Sequence, residues 1–263
     1  MSAETTSFGD APPAASTTRS SVVWHDLECG DYRADLELWL DLAAQLDGPV
    51  LDVGAGTGRV SLALARAGHT VTALERDEQL LAALRRRAEG LAVEAVCADA
   101  RSFSLARRDH ALCVMPMQTI QLLGGRDGRV AFLRCARAHV RAGAVVACAI
   151  LGEVEPFDCA GGRIGSTAER VRVDGVEYIS RAVRVAESRR VVTIERERRI
   201  VERDGAPGRP SEPMRERDAI ELDRVSARTL ERDARAAGLR VEPPVEVAAT
   251  DEHVGSTVVM LRA

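Results

Sequence analysis

The sequence contains no lysine and no asparagine, so its 36 Lys-or-Arg positions are all arginine. This reads as codon bias with arginine as the default surface cation, and it carries little functional weight. Aromatic residues make up 3% of the chain, too few to support base stacking along a nucleic-acid strand. The formal net charge is −4, so no global field draws the protein to a polyanion. Neither feature suggests a nucleic-acid partner. No apolar run approaches the roughly 20 residues of a membrane span. The opening stretch MSAETTSFGDAPPAASTTRS lacks the apolar core of a signal peptide, and residues 1–20 are expected to be a disordered tail. Six cysteines form no C-x-x-C pair, several lie inside apolar runs, and they read as reduced thiols of a cytoplasmic protein. The histidines and cysteines lack zinc spacing and no H-E-x-x-H occurs, so no metal site is expected.

What remains is a chain of 263 residues, enough for one α/β domain with an inserted subdomain. Apolar positions at Leu36, Leu38, Trp39, Leu42, Ala43 and Leu46 predict a helix ahead of the main fold. Strands are expected at 50–53, 70–75, 92–97, 110–115 and 143–151, with helices at 58–67, 77–89, 118–123 and 127–141. The strands are almost wholly apolar, as in a parallel sheet covered on both faces. Gly68 and Gly143 stand where helix C-caps would put them. The fold class expected is α/β, a doubly wound, mostly parallel, seven-stranded Rossmann-like sheet with an antiparallel β insert.

From residue 160 to 222 the apolar period switches to two. Asp174-Gly175 and Asp204-Gly205 mark turns, and the Arg/Glu alternation suggests a solvated face with cross-strand ion pairs. The division expected is 1–20 tail, 21–159 entry helix and core, 160–222 cap insert, and 223–263 closing the sheet. In the closing part Ser226 is an N-cap candidate and Gly238 a C-cap candidate.

The chemistry concentrates in GPVLDVGAGTGRVSLALARAGHTVTALERD, residues 48–77. Glycines after a strand let the backbone approach a ligand and turn into a helix. The spacing is G-x-G-x-G, not the G-x-G-x-x-G of dinucleotide sites. Asp52 sits two residues before Gly54, where a diphosphate would be repelled and a cationic amino group favoured.

VLDVGAGTGR resembles motif I of the class I S-adenosylmethionine-dependent methyltransferases, and the similarity runs over about residues 22–263. It is nearest the bacterial small-molecule branch, where an antiparallel insert roofs the pocket. The resemblance implies S-adenosylmethionine as cofactor, with Asp52, Gly54, Ala55, Gly56, Gly58 and Arg59 in motif I. Glu75, followed by Arg76, stands where the family's acid holds both ribose hydroxyls. Asp99 would meet the adenine amino group and the backbone at Ala100 the ring; Met115 and Gln118 fall in motif IV, and Tyr32 lies in the entry segment. The MPMQ of motif IV is not the N/D-P-P-Y of base and glutamine methylation.

The function implied is transfer of a methyl group to N or O of a small metabolite by in-line displacement. Candidates for a general base are Glu28, Tyr32, Glu155 and Asp158, and nothing in the sequence selects among them. A non-catalytic S-adenosylmethionine-binding module is the alternative, and the Arg-rich strands of the insert are candidates for pairing in a homodimer.

Overall fold

The computed structural model describes residues 16–159, 166–202, 213–250 and 253–263. Its central strands are β1 (Val50–Val53), β2 (Val71–Glu75), β3 (Val93–Cys97), β4 (His110–Met115) and β5 (Val140–Leu151). β1, β2 and β4 are buried at every position, which is why their sequences show no alternation. The sheet is closed by β11 (Arg240–Val241), β12 (Val245–Val247) and β13 (Ser256–Arg262). Its order is β11-β13-β5-β4-β1-β2-β3, with β12 paired to β13 off that path. β13 runs antiparallel to β5, whereas β1, β2, β3, β4 and β5 are mutually parallel. The expected doubly wound architecture is present, with the short β12 as an eighth strand. Strand order reverses between β1 and β4, so the crevice beyond their carboxyl ends is the natural ligand position.

Two apolar layers cover the sheet. α2 (Leu36–Gln45) and α3 (Arg59–Arg66) pack Trp39, Val60 and Leu64 on one face. α5 (Gly125–His139) and α6 (Ala227–Ala236) pack Phe132, Leu133 and Leu230 on the other. α4 (Glu78–Arg87) follows β2, its N-cap Asp77 accepting from the Gln79 and Leu80 amides. Ser226 caps α6 through the Thr229 amide. Gly68 and Gly238, at φ 96° and 83°, follow α3 and α6 as C-cap glycines do. Gly143 does not: α5 ends at His139, and Gly143 lies inside β5 at φ 76°, its amide bonded to Ala263 O. The His139 ring explains the early stop: it bonds Cys135 O at 2.7 Å and accepts the Leu105 amide at 3.0 Å, fixing the chain as it leaves the helix.

The insert is a second sheet, ordered β10-β9-β8-β6 with β7 also on β8. It comprises β6 (Phe157–Asp158), β7 (Glu169–Val173), β8 (Val176–Glu187), β9 (Val191–Glu202) and β10 (Met214–Asp223). The turn between β7 and β8 is Asp174-Gly175 at φ 49° and 83°, the left-handed pair that an Asp-Gly hairpin requires. Asp204-Gly205 lies outside the described residues. Arg198 reaches Asp218 at 3.2 Å and Arg184 reaches Glu195 at 2.6 Å across strands, as the charge alternation anticipates.

One side chain clamps both necks of the insert. Gln121, 3% exposed in the 3-10 turn Thr119–Leu122, accepts the Leu151 amide at 2.6 Å and donates to Asp223 O at 2.8 Å. Asp223 in turn accepts from the Gly125 amide and from Arg129. Gln121→Ala strands two partly buried backbone groups and opens a cavity. A loss of about 2–4 kcal/mol is expected, read as a lower denaturant midpoint at unchanged slope.

At the N-terminal side, α1 (Ser16–His25) begins within the stretch expected as tail. A π turn, Asp26–Gly30, follows it. The segment is ordered because it has partners on both bodies. Ser21 bonds Gln79 on α4, Trp24 packs edge-on to Tyr178 at 5.1 Å, and Glu28 pairs with Arg198 at 2.8 Å through both oxygens.

Candidate functional site

The β1–α3 turn lies at the strand-order reversal, and its glycines take left-handed conformations. Gly54 is at φ 76° and Gly56 at φ 55°, where an L side chain is strained. Each also touches a neighbour where a side chain would go. A Cβ on Gly54 would lie 2.4 Å from Thr119 Cγ2, and one on Gly56 would lie 2.4 Å from His25 Nε2. The motif IV turn and the entry segment thus both press on bare backbone. Ala55 donates its amide to Leu74 O, and Gly58 is the N-cap of α3.

Glu75 ends β2 beside this loop and is 9% exposed. Its Oε2 accepts the Gly56 amide at 2.9 Å, and Oε1 accepts the Arg76 and Asp77 amides at 2.9 and 3.0 Å. The carboxylate is held by backbone and keeps acceptor capacity for a ligand hydroxyl. The Arg76 side chain is exposed.

Asp52, 1% exposed in β1, accepts Ser61 Oγ at 2.6 Å through Oδ2, while buried Oδ1 has no partner. Burial pushes its carboxyl up to about 6, against the Ser61 hydrogen bond and the Arg59 charge. Arg59 is occupied elsewhere. It binds both oxygens of buried Asp35 at 2.5 and 2.8 Å, donates to Tyr32 O at 2.8 Å, and lies 5.1 Å from the Tyr32 ring. Arg59 and Tyr32 therefore fasten the entry segment to the first turn of α3. Tyr32 also meets His253, ring to ring at 5.0 Å.

Asp99 follows β3 and forms an Asx turn, accepting the Arg101 amide at 2.8 Å and its guanidinium at 2.6–3.2 Å. Those hydrogen bonds hold its carboxyl down at about 2. Ala100 next to it is partly buried. Met115, fully buried, ends β4. Met117 then takes φ 54°, an uncommon conformation for a side-chain-bearing residue, which tends to occur at functional turns. Gln118 follows, partly buried, its carbonyl accepting the Gln121 amide.

Of the candidate bases, Glu28 is tied to Arg198, Arg196 and Ser180. Burial opposes its ionisation, but the Arg198 hydrogen bonds and the two guanidinium charges outweigh it, so its carboxyl lies below the usual range. Burial raises the Tyr32 phenol, with Asp35 adding to the effect. Asp158 is half exposed and 3.5 Å from Arg184, and Glu155 is exposed. Neither Glu28 nor Tyr32 is poised to take a proton near neutral pH.

A cleft of about 360 Å³ opens beside this region, lined by Asp26, Thr57, Arg59, Arg87, Arg170 and Val171 among others, but not by Glu75, Asp99 or Met115. Sequence reading did not single out Thr57, Thr119 or Gln121. The hydroxyl inside G-A-G-T-G was the one local signal available.

This fold and loop define a Rossmann-like class of domain, and part of the chain is similar to proteins of known activity. Residues 50–143 match a protein-family model described as a methyltransferase domain. A sugar N-methyltransferase from Streptoalloteichus has the same fold, with TM-score 0.67 at 18% identity over 100% of this chain and 99% of that one. A cypemycin N-terminal methyltransferase from Streptomyces is 34% identical over 113 residues, 42% of this chain and 45% of that protein. An rRNA adenine N-6-methyltransferase from Corynebacterium diphtheriae is 35% identical over 66 residues, 25% of this chain and 26% of its own length. The chain thus matches less than half the length of either curated relative. Over residues 50–143 the chain is similar to a methyltransferase domain, and S-adenosylmethionine is the cofactor that the resemblance of VLDVGAGTGR implies.

The residues present fit that cofactor. Buried Asp52 Oδ1 lacks a partner, as suits an ammonium group reached directly or through water; Gly54 and Gly56 offer a bare cradle; Glu75 offers acceptors for hydroxyls.

Proposed function

We propose that the protein methylates nitrogen or oxygen of a small metabolite in the cytoplasm, using S-adenosylmethionine. The observation that carries this reading is the backbone-held Glu75 carboxylate beside the bare glycine turn at the strand-order reversal. Glu75, Asp52 and the Gly54–Gly56 backbone would hold the cofactor, with Asp99 and Ala100 toward its base and Met115 and Gln118 toward the reacting end. When bound, S-adenosylmethionine supplies an electrophilic methyl group on a sulfonium.

Little charge develops that the protein must stabilise, so its residues act mainly by alignment and exclusion of water. Tyr32, Arg59 and Asp35 secure the entry segment, and Glu28 with Arg198 joins that segment to the insert. In this reading the insert, held at both necks by Gln121, serves as a roof for the crevice, and its Arg170, Val171 and Val173 line the cleft beside Thr57 and Arg59. A roof favours a small molecule over a nucleic acid. So do insert arginines such as Arg184 and Arg198, already paired with carboxylates, and the scarcity of aromatic residues.

The test is calorimetric titration with S-adenosylhomocysteine, followed by methyl-transfer assays on amine- and hydroxyl-bearing metabolites. Saturable binding and transfer to one class of acceptor are expected. Binding of NADH instead, or tight S-adenosylhomocysteine binding with no transfer to any acceptor, would overturn the enzyme reading; the latter would leave a binding module.

A further inference from the structure

A hydrogen-bonded chain beside the glycine turn has no part in the alignment described above. Arg87 donates to both carboxylate oxygens of Asp26. Asp26 Oδ1 accepts the Thr57 hydroxyl at 2.7 Å, and Thr57 Oγ1 lies 3.3 Å from His25 Nδ1. The hydroxyl has one proton, and Asp26 takes it. Its oxygen therefore accepts at His25, so Nδ1 carries the imidazole proton and Nε2 keeps a lone pair. That lone pair belongs to the atom that stands against Gly56, 2.4 Å from where a Cβ would be. Among the described residues Nε2 has no hydrogen-bond partner. Trp24 against Tyr178 and Glu28 on Arg198 hold the backbone on either side of the ring. Glu75 grips the same glycine through its amide at 2.9 Å, so a carboxylate and an imidazole acceptor converge on one residue.

We propose that His25 belongs to the cofactor site: its Nε2 accepts a hydrogen bond from a hydroxyl or ammonium group of S-adenosylmethionine lying along Gly56, with Thr57 and Asp26 fixing the tautomer. This rests on the methyltransferase reading above. It assigns the entry segment a direct contact as well as a covering role. Burial favours the neutral ring; Asp26, Glu75 and Glu28 oppose it and Arg87 supports it, and the net effect lies below the ordinary histidine range. The binding form is the neutral one, so affinity is expected to fall on acidification.

The experiment is calorimetry with S-adenosylhomocysteine on the full chain between about pH 5 and pH 8, for wild type, His25→Ala, His25→Gln and Glu75→Gln. It is paired with ¹⁵N spectra of the histidine ring nitrogens. His25→Ala is expected to weaken binding about 10-fold at the upper pH, the worth of one hydrogen bond, with Gln recovering part of it. Asp52 also titrates on the acid side, so the sign of His25 is the part of the slope that its replacement removes. Free protein should show the Nδ1–H tautomer, and the ligand should shift Nε2. Unchanged affinity in His25→Ala while Glu75→Gln binds weakly would overturn this inference alone. So would a protonated Nε2 in free protein, or a His25-dependent rise in affinity with acid, which means donation to a carboxylate. Absence of binding by wild type at every pH would overturn the methyltransferase reading itself.

Discussion

Glu75→Gln is expected to lower affinity for S-adenosylhomocysteine roughly 100-fold, about 3 kcal/mol, the worth of two hydrogen bonds to a charged acceptor. The effect is large because the substitution changes both the ligand's acceptor and the loop that presents it. Oε2 accepts from Gly56 N, and Oε1 from Arg76 N and Asp77 N. A carboxylate is acceptor on both oxygens; a glutamine must place its NH₂ at one of them. Either way a donor then faces a backbone donor, and either the glycine turn or the start of α4 loosens. Stability should fall by about 1–3 kcal/mol as a buried amide loses its partner. Calorimetry measures the binding loss, and a thermal melt of the same sample separates it from unfolding. Wild-type affinity in a folded Glu75→Gln would remove Glu75 from the site.

Asp52→Asn should act in opposite directions on stability and on binding. Asp52 is buried without a partner for Oδ1, and burial pushes its carboxyl up to about 6. Its unfolded value is about 3.9. The folded protein therefore binds the proton more tightly than the unfolded chain. The stability this contributes is fully present below about pH 4 and is lost as pH rises through about 6, at most about 3 kcal/mol. Asparagine carries no charge to desolvate. At pH 8 the variant is expected to gain about 1–2 kcal/mol, a few degrees in Tm, because its new NH₂ has no buried acceptor and returns part of the gain. At pH 4 the gain should vanish. Binding should weaken about 10-fold, since a cationic ligand group loses a buried counter-charge. Thermal melts at the two pH values measure the first effect and calorimetry the second. A loss of stability at pH 8 would mean that the charge is already compensated in the free protein.

The core of the fold was legible because its signals are local. Val50–Val53 and Val71–Glu75 are mostly apolar and buried at every position, each is followed by a helix, and glycines mark the turn between β1 and α3. Asp174-Gly175 marked its hairpin because left-handed φ at both positions suits few residue pairs. Ser226 marked its helix start, having a side-chain oxygen for the third amide beyond it. Gly143 misled for the same local reason. A glycine after a helical run reads as a C-cap, but the helix had already stopped at His139, whose ring is bonded to Leu105, far from it in sequence.

The sequence by itself determined the doubly wound sheet, the insert, and the glycine-and-acid pattern at the ends of β1 and β2, because periodicity and turn chemistry act between neighbours along the chain. The tertiary structure alone decided that His25 meets Gly56, that Thr119 fills the space over Gly54, and that Gln121 holds both necks of the insert. Those contacts join residues distant in sequence whose meeting depends on how the helices and the second sheet pack. A histidine, a threonine and a glutamine carry no local mark of the partner they will find.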